Sequence, residues 1–206
     1  MNVDNPEKIS LLNFFKKNFR YFIIIFFALV VLIIIASFLD YRSNNKKITI
    51  SENFIEAKIL LQNTKEEEAY DILKKIISDK DPIYSSLSLF LVIDKKLEDD
   101  DNIIVKYFDM IMSIKKLEKE DLNIIKLKKA IFISKSKDEK IILELLNPII
   151  NSDSIWKTQA LNFLGDYYYS TKEFNKAKQY YSTLLNENDK NFDLNLIRKK
   201  LNSIKN

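Results

Sequence analysis

The sequence predicts an all-α protein: one N-terminal transmembrane helix, followed by an α-solenoid of helical hairpins with a C-terminal capping helix. Three observations predict this fold class. Residues 21–39 form an apolar run without a charged side chain. Beyond it, apolar residues recur at the i, i+3, i+4 and i+7 spacing of helices. The breaks between these segments are short and polar, which indicates consecutive antiparallel helices.

The apolar run "YFIIIFFALVVLIIIASFL" predicts a transmembrane helix over residues 21–39. At 1.5 Å per residue this helix would extend about 28 Å, close to the ~30 Å hydrocarbon thickness of a bilayer. A cleaved signal peptide is the alternative. Such a peptide has a shorter apolar region and a small-x-small cleavage site, whereas "IASFLDY" has no such pair near its end. The sequence therefore favours an uncleaved anchor.

Basic residues flank both ends of the apolar run, so charge gives only a slight preference for its orientation. Lys8 and the amino terminus tip the count toward a cytoplasmic N-terminus. We therefore expect a short cytoplasmic tail over residues 1–20 and a juxtamembrane linker over residues 40–50. The inverted topology, with a cytosolic helical domain, remains open.

The helical domain is expected to occupy residues 51–206. Its apolar periodicity predicts helices near residues 51–63, 66–78, 83–95, 102–116, 119–134, 138–150, 154–171, 174–187 and 190–204. Side-chain oxygens of Asp101 and Ser154 are expected to cap two of the helix starts. The last helix is expected to cover the apolar face that a repeat array leaves exposed at its end.

The hairpin "ALNFLGDYYYSTKEFNKAKQYY" contains Gly165, the only glycine of the chain. A glycine inside a helix costs roughly 1 kcal/mol relative to alanine, so it requires a packing reason. We expect Gly165 to face Ala177, twelve positions later, so that the two backbones approach closely. Large residues would then close around the contact. The predicted packing residues are Leu161, Leu164, Gly165, Tyr168, Phe174, Ala177 and Tyr181.

This spacing resembles the tetratricopeptide repeat. Six of those seven residues fall on signature positions of that motif, and Leu161 stands where the motif often has tryptophan. A weaker unit over residues 54–82 places Ala57 and Ala69 twelve apart. Residues 83–116 and 119–150 fit helical pairs by length only. The sequence therefore predicts tetratricopeptide-like hairpins without fixing how many are well formed.

The same resemblance implies a binding groove lined by the first helix of each pair. In the last hairpin that face carries Asn162, Asp166 and Tyr169, which are spaced by four and three residues. These three residues are the predicted partner-binding groove, with Tyr169 as the expected contact. Packing against a neighbouring repeat is the alternative for Tyr169.

The layout as a whole is similar to the ancillary SecYEG translocon subunit family, especially its alphaproteobacterial members. The similarity rests on the membrane helix, on "KEEEAYDILKKI" and on the Trp-led final repeat "WKTQALNFLGDYYYSTKEFNKAKQYYSTLLNEND". It implies a single-pass bacterial inner-membrane protein with a periplasmic tetratricopeptide-like domain. The implied partners are translocon subunits and periplasmic chaperones. A role in envelope assembly or cell division, or as a cytosol-facing tethered receptor, remains an alternative.

Composition argues against catalysis, cofactors and nucleic acid. The chain has no histidine, no cysteine and a single glycine, which removes the commonest general base, thiol chemistry and glycine-rich phosphate loops. The net charge of +4 lies entirely within residues 1–47, so no basic stripe is expected on the domain. The acidic run "EDDDN" lacks the glycine and ligand spacing of a calcium loop. We expect no enzyme activity, no metal and no small-molecule substrate.

Overall fold

The computed structural model describes residues 6–136, 138–187 and 193–204. Within these residues the chain is all-α and contains no strand. The helices follow the predicted order closely, and the predicted residues 190–192 lie outside the described part. The α-helices are α1 (Pro6–Gln62), α2 (Glu66–Ser78), α3 (Tyr84–Asp94), α4 (Asp101–Met112), α5 (Lys119–Ile133), α6 (Glu139–Ile150), α7 (Lys157–Ser170), α8 (Phe174–Glu187) and α9 (Leu194–Ser203).

The first helix is much longer than the sequence predicts. Because α1 continues from Pro6 to Gln62, residues 40–50 are helical rather than a separate linker, and the helix predicted to begin at residue 51 has no start of its own. The segment "DYRSNNKKITI" contains neither proline nor glycine. A helix nucleated in the apolar run therefore elongates through it at little cost. Residues 1–5 of the predicted tail lie outside the described residues.

The chain divides into two compact units after Glu52, close to the predicted start of the helical domain. In the first unit the apolar side chains of α1 face outward: Ile24 and Phe26 are each 63% exposed. The stretch Asn18–Gln62 contains an 18-residue window of mean hydropathy 3.4, none of which is buried. By length and composition this helix is able to cross a membrane, as either an anchor or a signal sequence would.

In the second unit, helices α2 to α9 each contact the next helix along the chain. Two apolar cores result. The first holds Leu73 of α2, Leu89 of α3 and Phe108 of α4. The second contains buried residues of α6, α7, α8 and α9, among them Leu146 and Ile197. The hairpins of this unit are therefore stabilised by contacts between sequence neighbours.

Helix α5 borders both cores. Ile125 belongs to the first core, whereas Leu127 and Ala130 belong to the second. On the side of the first core, Lys129 is 7% exposed, and its ammonium group donates to Asp109 of α4 at 2.5 Å. A buried lysine requires such a partner because desolvation of an unpaired charge is costly. α5 is thus fixed by apolar and polar contacts together.

The start of α5 is also bonded to the loop before α7. The sequence predicts that Ser154 caps a helix start, but α7 begins at Lys157 and its first residues have no side-chain cap. Instead, the Ser154 hydroxyl donates to a Glu120 carboxylate oxygen at 2.6 Å, and the Trp156 indole N–H donates to the Glu120 carbonyl at 3.0 Å. The Ser154 hydroxyl oxygen also accepts from the backbone N–H of Trp156 at 3.2 Å, so Ser154 closes the turn before α7 and also bonds to α5. The cap predicted at Asp101 lies one residue earlier, since Asp100 accepts from the Asn102 N–H at 2.8 Å.

Four helices end at a non-glycine residue with positive φ: Thr64, Lys80, Lys96 and Lys172, at 60°, 56°, 52° and 65°. This left-handed conformation commonly follows a helix, where glycine is preferred because it has no Cβ. After α3, the Leu97 N–H donates to the Val92 carbonyl at 3.0 Å, which closes the helix end. These turns are therefore made at a conformational cost that glycine would avoid.

Replacing Lys96 with glycine should stabilise the chain by about 0.5–1 kcal/mol, because glycine adopts φ of 52° without a Cβ penalty. Urea unfolding of the full chain in detergent, followed by helical circular dichroism, measures the change. The control is Lys95→Gly, one residue earlier at φ of −87°, which should be neutral or destabilising. A stabilisation shared by both variants would contradict the assignment of strain to Lys96.

Candidate functional site

Gly165 lies in α7 directly against the ring of Tyr181 in α8. A Cβ added at residue 165 would lie 2.5 Å from Cδ1 of Tyr181 and nearer still to its Cε1. The three nearest heavy atoms all belong to this ring, so Tyr181, one of the large residues predicted to close around Gly165, contacts it directly. The φ of Gly165 is not positive. The residue is therefore required for the space it leaves, not for its backbone freedom.

The Tyr181 hydroxyl and Lys200 of α9 both bond to the carboxylate of Asp166. The hydroxyl donates to Oδ1 of Asp166 at 2.6 Å, and Nζ of Lys200 in α9 donates to the same oxygen at 2.6 Å. Oδ2 accepts from Nδ2 of Asn162 at 3.3 Å. Burial, followed by the hydrogen bond to Asp166, raises the pKa of Tyr181 above its ordinary range. Through Oδ1, Asp166 of α7 thus bonds to both α8 and α9.

The residues of the predicted groove on α7 also make contacts within the domain. Asp166 is already bonded to α8 and α9, and Asn162 is partly buried beside it. Tyr169 is 41% exposed, and its ring packs edge-on against Phe174 at 5.7 Å between centroids. Asp166 also keeps exposed surface, since its side chain is 43% exposed. Helix α9 thus contacts one residue of the surface that the sequence assigns to a partner, and the assignment of that surface to a partner stays a prediction.

Six of the seven predicted packing residues are buried, and the exception is Phe174. This residue is 44% exposed because it lies at the first position of α8, beyond the edge of the core. Its ring contacts Tyr169 rather than closing around Gly165. The buried members are Leu161, Leu164, Gly165, Tyr168, Ala177 and Tyr181.

Glu139 joins the start of α6 to α7 and α8. One of its carboxylate oxygens accepts from the Tyr168 hydroxyl at 2.7 Å and from Nζ of Lys176 at 2.6 Å. The hydrogen bonds from Lys176 and then Tyr168 lower the pKa of Glu139. Burial, with the bond to Glu139, raises the pKa of Tyr168. The carboxylate therefore acts as a structural acceptor, and its charge contributes to the packing of three helices.

An exposed apolar groove lies between α3 and α5, where the sequence analysis placed no site. It consists of two adjoining hollows of about 460 and 170 Å³ that share Phe90. Pro82 and Asp121, near the starts of α3 and α5, line one hollow, and Asp94 and Lys135, near their ends, line the other. The two helices therefore run side by side in the same direction. We refer to this surface as the α3–α5 groove.

One sequence signal could have identified the groove. α3, "YSSLSLFLVID", is apolar on all sides, and such a helix must bury every face or present one to a partner. In the structure one face remains open: Ile83 is 64% exposed and Leu87 is 42% exposed. In the adjoining hollow, Ile131 of α5 is 42% exposed. Periodicity alone does not reveal which face of α3 the neighbouring helices leave uncovered.

The chain resembles no characterised protein closely enough to be assigned by comparison. No protein-family model, curated protein or solved structure matches it. The function is therefore argued from the helices and surfaces described above.

Gly165→Ala should destabilise the chain by about 1–2 kcal/mol, because overpacking against Tyr181 outweighs the helix propensity that alanine gains. Urea unfolding followed by the fluorescence of Trp156, the single tryptophan, measures the loss. Gln159→Ala, at an exposed position of α7, is the matched control and should change stability little. In a Tyr181→Ala background the cost of Gly165→Ala should disappear; a cost that persists would place the clash elsewhere.

Glu139→Gln should reduce stability at neutral pH but not in acid. The folded-state pKa of Glu139 is lowered, so ionised Glu139 stabilises the fold above its unfolded-state pKa of about 4.3. That contribution is lost as the pH falls through the lower folded-state pKa. The difference between wild type and variant, measured by urea unfolding, should therefore shrink in acid.

The control for this pH dependence is Glu144→Gln, at a side chain that is 64% exposed and 4.0 Å from Lys140. This variant should keep the wild-type pH profile. If the stability difference caused by Glu139→Gln were the same at every pH, the charge of Glu139 would not be the stabilising feature.

Proposed function

We propose that this chain is a membrane-anchored scaffold that binds other proteins through its helical domain. The observation that carries the proposal is the exposed α3–α5 groove, lined by Ile83, Leu87 and Ile131, on a domain that follows an exposed apolar helix. Exposed apolar surface of this kind is typical of interaction sites. The reading implies binding rather than catalysis.

The proposal includes an α-solenoid of tetratricopeptide-like hairpins. Its support is the chain-order packing of α2 to α9 and the parallel course of α3 and α5, the first helices of two successive pairs. The Gly165–Tyr181 contact lies between two signature positions of the repeat. In such an array each helical pair packs mainly on its neighbours and the first helices line a common surface.

The partners are proposed to be Sec translocon subunits and periplasmic chaperones at the bacterial inner membrane, with the domain in the periplasm. The resemblance of the whole layout to the ancillary translocon subunit family supports this choice. The physical advantage is effective concentration: a domain held at the bilayer meets membrane-bound partners far more often than a free domain of equal affinity. Weak binding by the groove would then be sufficient.

An added protease should remove the helical domain from spheroplasts whose inner membrane is intact, because the proposal places that domain outside the cytosol. Immunodetection of the C-terminal part, with one periplasmic and one cytosolic marker protein, measures its accessibility. Protection of the domain until lysis would place it in the cytosol and favour the tethered-receptor alternative.

Deletion of residues 1–47 should abolish co-purification with the translocon. The matched control replaces residues 21–39 with an unrelated apolar helix of the same length, which keeps the tether and should keep co-purification. Retention of the translocon after deletion would contradict tethering. Recovery of division or outer-membrane assembly proteins in its place would favour the envelope-assembly alternative.

A further inference from the structure

The α3–α5 groove has an apolar interior and a charged wall. Leu87 and Phe90 of α3 face Ile124 and Ile131 of α5 across it. The α5 wall carries Asp121 and Lys128, and Lys135 lies in the short 3₁₀ turn Ser134–Ser136 that follows α5; all three line the groove at intervals of seven residues. Seven residues are about two turns of an α-helix, so Asp121 and Lys128 lie along one side of α5. Lys135 continues this row beyond the end of α5, because it lines the same hollow as Lys128.

The two lysines provide positive charge that the domain leaves unneutralised. Among the described residues neither Lys128 nor Lys135 forms an ion pair; each ammonium group lies 6.0 Å from the centroid of a phenylalanine ring, Phe90 or Phe132. Asp94, at the same end of the groove, is 3.3 Å from Lys95. The half of the groove nearest Lys135 therefore favours an anionic partner, and the half nearest Asp121 favours a cationic one.

We infer that the α3–α5 groove binds an amphipathic helix of a partner protein that carries one basic and two acidic residues at intervals of seven. Packing of a helix along two parallel helices places residues seven apart in equivalent positions, as in coiled coils. Its apolar stripe lies on Leu87, Phe90 and Ile131, and its charges meet Asp121, Lys128 and Lys135 in turn. Opposite charges along one edge fix the register and direction of such a helix.

This inference rests on the proposed scaffold function, because it names the chemistry of a partner for the groove on which that proposal depends. The apolar residues Ile83, Leu87 and Phe90 on one side, and Ile124 and Ile131 on the other, extend along both hollows of the groove. Asp121 and Lys128 are two turns of α5 apart, which is also two turns of a helix that lies alongside it. Anchors at i, i+3, i+4 and i+7 are typical of helix-in-groove recognition.

The test uses the full chain in nanodiscs of neutral lipid and two fluorescent amphipathic peptides of about sixteen residues, the length that three charges spaced by seven require. The first peptide carries Lys, Glu and Glu at those positions, and the second carries Lys, Lys and Lys. Fluorescence anisotropy measures both affinities. The wild-type chain should bind the first peptide about tenfold more tightly, because two weak attractions are replaced by repulsions.

The variant Lys128→Glu/Lys135→Glu should reverse this preference. Both side chains are exposed, so the substitutions leave the core intact. The control Lys115→Glu/Lys116→Glu changes the net charge equally at exposed positions of the turn before α5 and should keep the wild-type preference. Equal binding of both peptides, or a reversal by the control variant, would overturn the inference.

Two further outcomes would also overturn it. Loss of peptide binding when the nanodiscs contain anionic lipid would make a lipid surface the occupant. A wild-type dimer that Lys128→Glu/Lys135→Glu dissociates would make the occupant a second copy of this chain. Co-purification of the wild-type chain with the translocon tests the scaffold function separately from the groove. If the translocon co-purifies but the peptides do not bind as expected, only the groove assignment is wrong. If the translocon does not co-purify, the proposed scaffold function is wrong.

Discussion

The contact between Gly165 and the ring of Tyr181 is the constraint on which the C-terminal half of the domain depends. The ring occupies the space of the missing side chain, so α7 and α8 pack more closely than any other residue at position 165 would permit. At this depth the Tyr181 hydroxyl reaches Asp166, and Asp166 in turn binds Lys200 of α9. The absence of a side chain at residue 165 thereby allows the contacts that join α7, α8 and α9.

Helix α5 has the corresponding role between the two halves of the domain. It contributes Ile125 to one core and Leu127 to the other. Polar contacts join α5 to both halves of the domain: Lys129 bonds to Asp109 of α4, and Glu120 accepts from Ser154 in the loop before α7. The proposed groove therefore lies on a helix that is held from two sides, and a rigid wall reduces the ordering cost of binding a partner.

Sequence periodicity predicted which residues pack together in the last hairpin, but it did not predict the exposed α3–α5 groove. Leu161, Leu164, Tyr168 and Tyr181 were identified because helical periodicity reports which residues are buried together. The same periodicity placed Asp166 on a partner-facing surface, and the structure shows that Lys200 of α9 also bonds to its carboxylate. A polar residue on a helix face looks the same in a sequence whether it meets solvent, a partner or a later helix of its own chain.

The sequence by itself determined the all-α class, the apolar helix and the order of the helices that follow it, because these depend on residues close in the chain. The tertiary structure alone decided that Tyr181 fills the space at Gly165, that Ser154 bonds to Glu120 instead of capping α7, and that α3 and α5 leave a groove between them. Each of these contacts joins residues on different helices. Their formation depends on how the helices pack, and local spacing carries no information about that arrangement.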